Sequence, residues 1–256
     1  MFENLFRFLR IFQHLFSSIK ITDRIIKEMM SITQTGICST FSELTETAFQ
    51  NPVNALYWKR NPTGDFAEIV AKLQLKDEIT DVSMDDLLSL NLSKKGAEAR
   101  NFITNDFKLL SDLGASPSLN LIKNYRRDDE FDFISTDVYS FHVDRSPVLT
   151  DTFLCTYFGA SSDIIPNHQA TQKILIPEIR EKLRQLHNES EEDFEIFLEE
   201  NFFDLHYEPH PEAEIINLGL GHLWRLAVDH PEQNVLPCIH RAPVENSGEL
   251  RLLMIC

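Results

Sequence analysis

Tyr139-Ser-Phe-His-Val-Asp144 alternates large apolar residues with polar ones, the period of a half-buried β-strand. In that conformation Tyr139, Phe141 and Val143 share one face, and Ser140, His142 and Asp144 share the other. An imidazole and a carboxylate then project side by side. Two residues apart on a strand, both can reach one metal ion, as in the two-histidine, one-carboxylate facial site that leaves several coordination positions open. Nine histidines in an Asp-rich chain also generate an H-x-D by chance, so the pattern needs a third ligand from elsewhere.

Moving outward, the residues after Gly114 form short extended runs divided by polar turns: Ser118 to Tyr125, Asp137 to Asp144, Thr152 to Phe158, Ala213 to Leu218, Val235 to His240 and Leu250 to Cys256. This spacing suits an antiparallel sandwich or barrel. A helical insertion over about residues 169–205 interrupts it. Its acidic stretch Glu189 to Glu200 reads as a solvated helix face, with Phe194, Phe197 and Leu198 turned inward. His240 falls on a late strand and supplies the candidate third ligand. After the turn Glu245-Asn-Ser-Gly248 comes Leu250-Arg-Leu-Leu-Met-Ile255, where Arg251 is the only charge. A guanidinium buried there needs an anion, and its planar fork suits a carboxylate, either one of the chain's own or that of a metal-bound keto acid.

Residues 1–114 read as mainly helical, which with the later strands makes the expected class α+β. Phe2, Leu5, Phe6, Leu9, Phe12, Leu15, Phe16 and Ile19 line one face of an amphipathic helix over residues 1–20, fit to dock on its own core, a partner or a membrane surface. Thr22 starts a second helix ending near Gly36. Asp65 with Glu68, and Ser83 with Asp86, are N-terminal capping patterns, and a longer helix is expected from about Ala97 to Leu113, stopped by Gly114. Tyr57 and Trp58 favour a short strand.

Composition narrows the function classes. Forty acidic against 24 basic residues leave a charge of -16 with no basic cluster, which argues against nucleic acid as a partner. The four cysteines include no C-x-x-C pair, which points to reduced thiols and a cytoplasmic setting, with Cys155 and Cys238 as core residues. No apolar run approaches the roughly 18 to 20 residues that span a bilayer, and residues 1–20 lack the features of a signal peptide. No nucleophile elbow, P-loop or dinucleotide fingerprint occurs. Arg145 reads as a salt-bridge partner and Tyr157 as a pocket-lining candidate. His206 and His210, beside Asp204 and Glu208, read as loop histidines in solvent.

The order His142-x-Asp144, a distant His240, then Arg251 resembles the Fe(II)/2-oxoglutarate-dependent oxygenases. That resemblance implies a double-stranded β-helix (cupin-like jelly-roll) barrel over residues 115–256, carrying the insertion and packed against the helical residues 1–114. It further implies iron held by His142, Asp144 and His240, and Arg251 on the distal carboxylate of 2-oxoglutarate. Other segments resemble an uncharacterised bacterial family, domain of unknown function 1826: Asn51-Pro-Val-Asn-Ala-Leu-Tyr-Trp-Lys-Arg60, Phe141-His-Val-Asp-Arg-Ser-Pro147, Cys155-Thr-Tyr-Phe-Gly159, Ile216-Asn-Leu-Gly-Leu-Gly-His-Leu-Trp224 and His240-Arg-Ala-Pro243 followed by Arg251-Leu-Leu253. The chain departs from that family at Ala160-Ser-Ser-Asp-Ile-Ile165, where a Gly-Thr-Glu-Trp-like segment is usual. The expectation is a mononuclear metal protein acting as an oxygenase on an unknown small-molecule or protein substrate. The alternatives are a zinc- or iron-handling protein and a non-catalytic interaction protein using residues 1–20.

Overall fold

The computed structural model describes residues 34–187 and 190–256. The helix expected over residues 1–20 lies outside them, as does most of the one after Thr22. Where that second helix was to end, the chain forms strand β1 (Thr35–Cys38) instead. Thr35–Cys256 is one compact unit of α+β class.

Among the described residues there are two sheets. The larger is strongly curled and runs β1, β2 (Ala55–Trp58), β11 (Leu223–Ala227), β6 (Asp151–Phe158), β13 (Arg251–Ile255), β4 (Ser118–Ile122), β3 (Ile79–Asp81). Only the β1/β2 pair is parallel. The smaller runs β10 (Ile216–Asn217), β7 (Asp163–Ile164), β12 (His240–Arg241), β5 (Phe141–His142), β9 (His206–Pro209), β8 (Ala170–Gln172). The expected mainly helical stretch therefore also gives three strands to the large sheet.

Helices cover the outer face of that sheet. They are α1 (Phe41–Glu46), α2 (Phe66–Lys72), α3 (Met84–Ser89) and α4 (Lys94–Asp112). The capping patterns work as read: Asp65 accepts from the Glu68 N–H and Ser83 from the Asp86 N–H, each satisfying a donor the helix start leaves free. Gly114 ends α4 with a φ of +93°, a left-handed turn that glycine adopts without strain. Leu44, Ile69, Ile103 and Leu110 of these helices pack with Leu121, Cys155 and Met254 of the sheet in one buried cluster.

Strand β6 is central, buried on both faces, and so reads as an apolar run more than as an alternation. Its residues still divide. Phe153, Cys155 and Tyr157 face the helices, while Leu154 joins Ile122, Ile164, Trp224 and Leu253 between the sheets. Beyond β7 the insertion comprises β8, α5 (Pro177–His187) and α6 (Glu191–Glu200). Phe194 and Leu198 are 1 % exposed and pack on Ile134 and Phe203, so the inward face of the acidic helix is as read. None of the four cysteines is in a disulfide among the described residues. No helix among the described residues is long and apolar enough to cross a membrane.

Candidate metal centre

Strand pairing brings the separated ligands together. His240 of β12 stands directly opposite His142 of β5, and their rings lie 4.5 Å apart. Phe141 and Val143 pack into the outer cluster with Ile165 and Ile239, so the alternation turns His142 and Asp144 the other way, toward the large sheet. Asp144 Oδ2 lies 3.5 Å from His240 Nε2, and one ligating atom from each of His142, Asp144 and His240 falls within 4.8 Å of the others.

The imidazoles are oriented from behind. His142 Nδ1 is 2.8 Å from the Ser140 carbonyl and His240 Nδ1 is 3.1 Å from that of Cys238, so each Nδ1 carries the proton and each Nε2 keeps its lone pair. Asp144 Oδ2 accepts from the Thr152 hydroxyl at 2.5 Å. Burial, then the neighbouring His240, lowers His142 to about 4, so its ring is neutral at neutral pH, the form that binds metal. Burial opposes the charge of Asp144, but His240, the Thr152 hydroxyl and His142 outweigh it and hold this carboxyl below its usual range.

The three side chains open onto a cavity of about 300 Å³ between the sheets, which Ile122, Leu154, Arg251 and Leu253 line from the opposite wall. Arg251 is 1 % exposed. It donates to Tyr125 Oη at 3.2 Å, Thr156 Oγ1 at 3.2 Å and Ser162 Oγ at 2.8 Å, and its Nε has no partner. No carboxylate among the described residues pairs with it. Glu245, whose charge acts on it at longer range, is held by the Tyr139 hydroxyl at 2.8 Å. Of the two anions weighed for Arg251, a carboxylate of the chain's own is therefore not paired with it among the described residues. Gly159, at the end of β6, makes this packing possible: a Cβ there would stand 2.5 Å from the Leu250 carbonyl and 3.0 Å from Arg251 Cα.

Tyr157 is not part of this cavity. The alternation of β6 turns it to the helix-covered face, where it donates to Asp106 at 2.8 Å and stacks on Phe66. Burial, then Cys155 and Asp106, raises its hydroxyl well above the ordinary value. Arg145 pairs with Asp204 and Asp229, as read. His206 differs from expectation: it is 4 % exposed on β9, opposite His142, with the two rings 5.6 Å apart. Its Nδ1 has no partner, and the ring borders a second cavity of about 250 Å³ that also reaches His142 and Asp144.

Tyr125, Thr152, Thr156 and Ser162 are site residues that reading the sequence missed. For the two threonines a signal existed, because Thr152 and Thr156 share one face of an otherwise apolar strand and a buried hydroxyl there needs a partner. Ser162 follows the turn at Gly159 and carried no such signal. Comparison of the chain with protein-family models, with curated proteins and with solved structures gave no match.

Proposed function

We propose that the protein is a mononuclear iron, 2-oxoglutarate-dependent oxygenase built on a double-stranded β-helix. The observation that carries the reading is the cavity itself: a His, Asp, His cluster on one wall and, on the other, a buried arginine whose hydrogen-bond partners among the described residues are hydroxyls. A buried cation without a counter-charge is costly, and an anionic ligand removes that cost.

The donor set fits the ion. Two imidazoles fixed by backbone carbonyls and one carboxylate are the ligands of a facial site, and no fourth protein ligand joins them among the described residues. Iron held there with 2-oxoglutarate supplies the oxidising chemistry for hydroxylation of a substrate C–H bond. The chain's own part is geometric. His142, Asp144 and His240 hold one end of the assembly, Arg251 holds the distal carboxylate at the other, and Tyr125, Thr156 and Ser162 aim the guanidinium. The apolar walls, Ile122, Leu154 and Leu253, restrict water.

The strand order supports the barrel reading. From β4 to β7 the chain alternates between the two sheets, turns back through β10, and alternates again through β11, β12 and β13. This yields β4-β13-β6-β11 facing β5-β12-β7-β10, two four-stranded layers wound together, the pattern of a jelly roll. The kinship with domain of unknown function 1826 stays part of this proposal and rests on the segments quoted above.

Anaerobic addition of Fe(II) and 2-oxoglutarate to the purified protein tests the reading. A weak visible charge-transfer band is expected, diminished in Arg251→Ala. His142→Ala and His240→Ala are each expected to abolish tight metal binding while the far-UV circular dichroism stays that of wild type. Full metal affinity in either histidine variant means the ligands are wrong. Tight zinc binding with no such band favours the metal-handling alternative.

A further inference from the structure

Asp144 enters the site from the end of β5, in the small sheet, yet its carboxylate is held from the large one. The oxygen 3.5 Å from His240 Nε2 is Oδ2, and the same Oδ2 takes the 2.5 Å hydrogen bond from Thr152 Oγ1. Thr152 is 9 % exposed and lies on β6, fixed between β11 and β13. Its backbone pairs with Leu226. Valine has the same shape and an equal or better strand preference, and it would fill this place without a polar atom to satisfy. What threonine adds is the hydroxyl, and the hydroxyl bonds Asp144.

An aspartate turns easily about its last side-chain bond and can offer a metal ion one oxygen or both. Chelation by both needs the two oxygens equidistant from the ion, a rotation that pulls Oδ2 off Thr152. We infer that Thr152 is a positioning residue that restricts Asp144 to single-oxygen coordination, so that the ion's remaining positions stay open. This rests on the metal reading above and adds how the carboxylate is kept from occupying a second position. The same face of β6 bears Thr156, which supports Arg251, so one rigid strand steadies both ends of the cavity.

Co(II), added alone to the full chain, is the probe, with affinity read by titration and coordination by the visible d–d absorption. Thr152→Val is expected to lose about 10- to 100-fold in affinity, the usual effect of removing a group that orients a ligand. Its d–d bands are expected to change in position and intensity as a second carboxylate oxygen takes one of the open positions. Thr152→Ser, which keeps the hydroxyl, is expected to restore both affinity and spectrum. Wild-type affinity and bands in Thr152→Val overturn the inference, as does a Thr152→Ser that fails as badly, since the methyl group would then be what matters. Should Thr152→Val not fold, Thr152→Ala is read by the same criteria. A wild-type chain that takes up no Co(II) removes the metal reading and this inference with it. A wild-type chain that binds while Thr152→Val is unchanged removes this inference alone.

Discussion

Two arginines are buried against opposite faces of the large sheet, and they are treated differently. Arg60, on the helix-covered face, meets Asp106 in a two-pronged ion pair at 2.5 and 2.9 Å, with Trp58 and Phe102 rings 4.6 and 4.5 Å from its guanidinium. Tyr157 donates to the same carboxylate, so the charges and lone pairs there are answered within the protein. Arg251, on the cavity side, has three hydroxyls, an unpartnered Nε and, among the described residues, no paired acid. The first arrangement is architecture: it joins α4 to the start of the loop after β2. The second is aimed and left without a paired acid among the described residues, which makes sense for a group that neutralises a ligand.

The largest effect that can break this contrast is at Asp106. Asp106→Ala leaves the Arg60 guanidinium buried without its anion, and losing one partner of such a pair costs about 3–5 kcal/mol. Urea unfolding measures it, with the midpoint falling at constant slope. A loss below about 1 kcal/mol would show that Arg60 does not depend on its counter-charge, and the contrast with Arg251 would lose its meaning.

The cavity side was the more legible of the two in the sequence, for a local reason. Strand alternation is decided by neighbouring residues, so Tyr139 to Asp144 disclosed the face shared by His142 and Asp144, and the apolar run around Arg251 disclosed a buried charge. The Arg60–Asp106 pair joins distant elements, and neither residue stands out from the many charges of this chain. The same limit hid β1 and β3, short segments that become strands only through distant partners. It also hid His206, whose burial comes from the cross-strand position opposite His142. Tyr157 was ambiguous because β6 is covered on both faces, so alternation grouped its residues without saying which group meets the cavity.

His206 gives the next effect in size. Burial first, then His142 and Lys173, lowers it to about 3. Its folded value thus lies below the unfolded value near 6.5, and between the two the unfolded chain binds more protons. Stability from this group is therefore complete above about pH 6.5 and is lost as pH falls toward 3. Between about pH 6.5 and 5, before carboxylates contribute, one such histidine gives a slope approaching about 1.4 kcal/mol per pH unit. In the metal-free protein His142, lowered to about 4, adds to the same slope, so His206→Gln is expected to reduce it by one histidine's share in urea melts across this window. An unchanged slope would mean that His206 finds a partner or water when protonated, and the cavity side would be less demanding of its polar groups than Arg251 suggests.

The smallest stability effect is expected at Arg251, and its smallness is informative. Arg251→Met keeps most of the side-chain volume and removes a charge that burial disfavours and that Glu245 offsets only at longer range. What is lost is three hydrogen bonds donated to hydroxyl oxygens, each of which can then accept from another donor or from water. These terms oppose one another, so the folded protein is expected to stay within about 1 kcal/mol of wild type, whereas Asp106→Ala loses several times as much. The functional consequence runs the other way: the methionine variant is expected to retain Fe(II) through His142, Asp144 and His240 but to lose the response to 2-oxoglutarate. Unfolding on the scale of Asp106→Ala would show that Arg251 belongs to the architecture after all, and the case for an anion at the end of the cavity would fall with it.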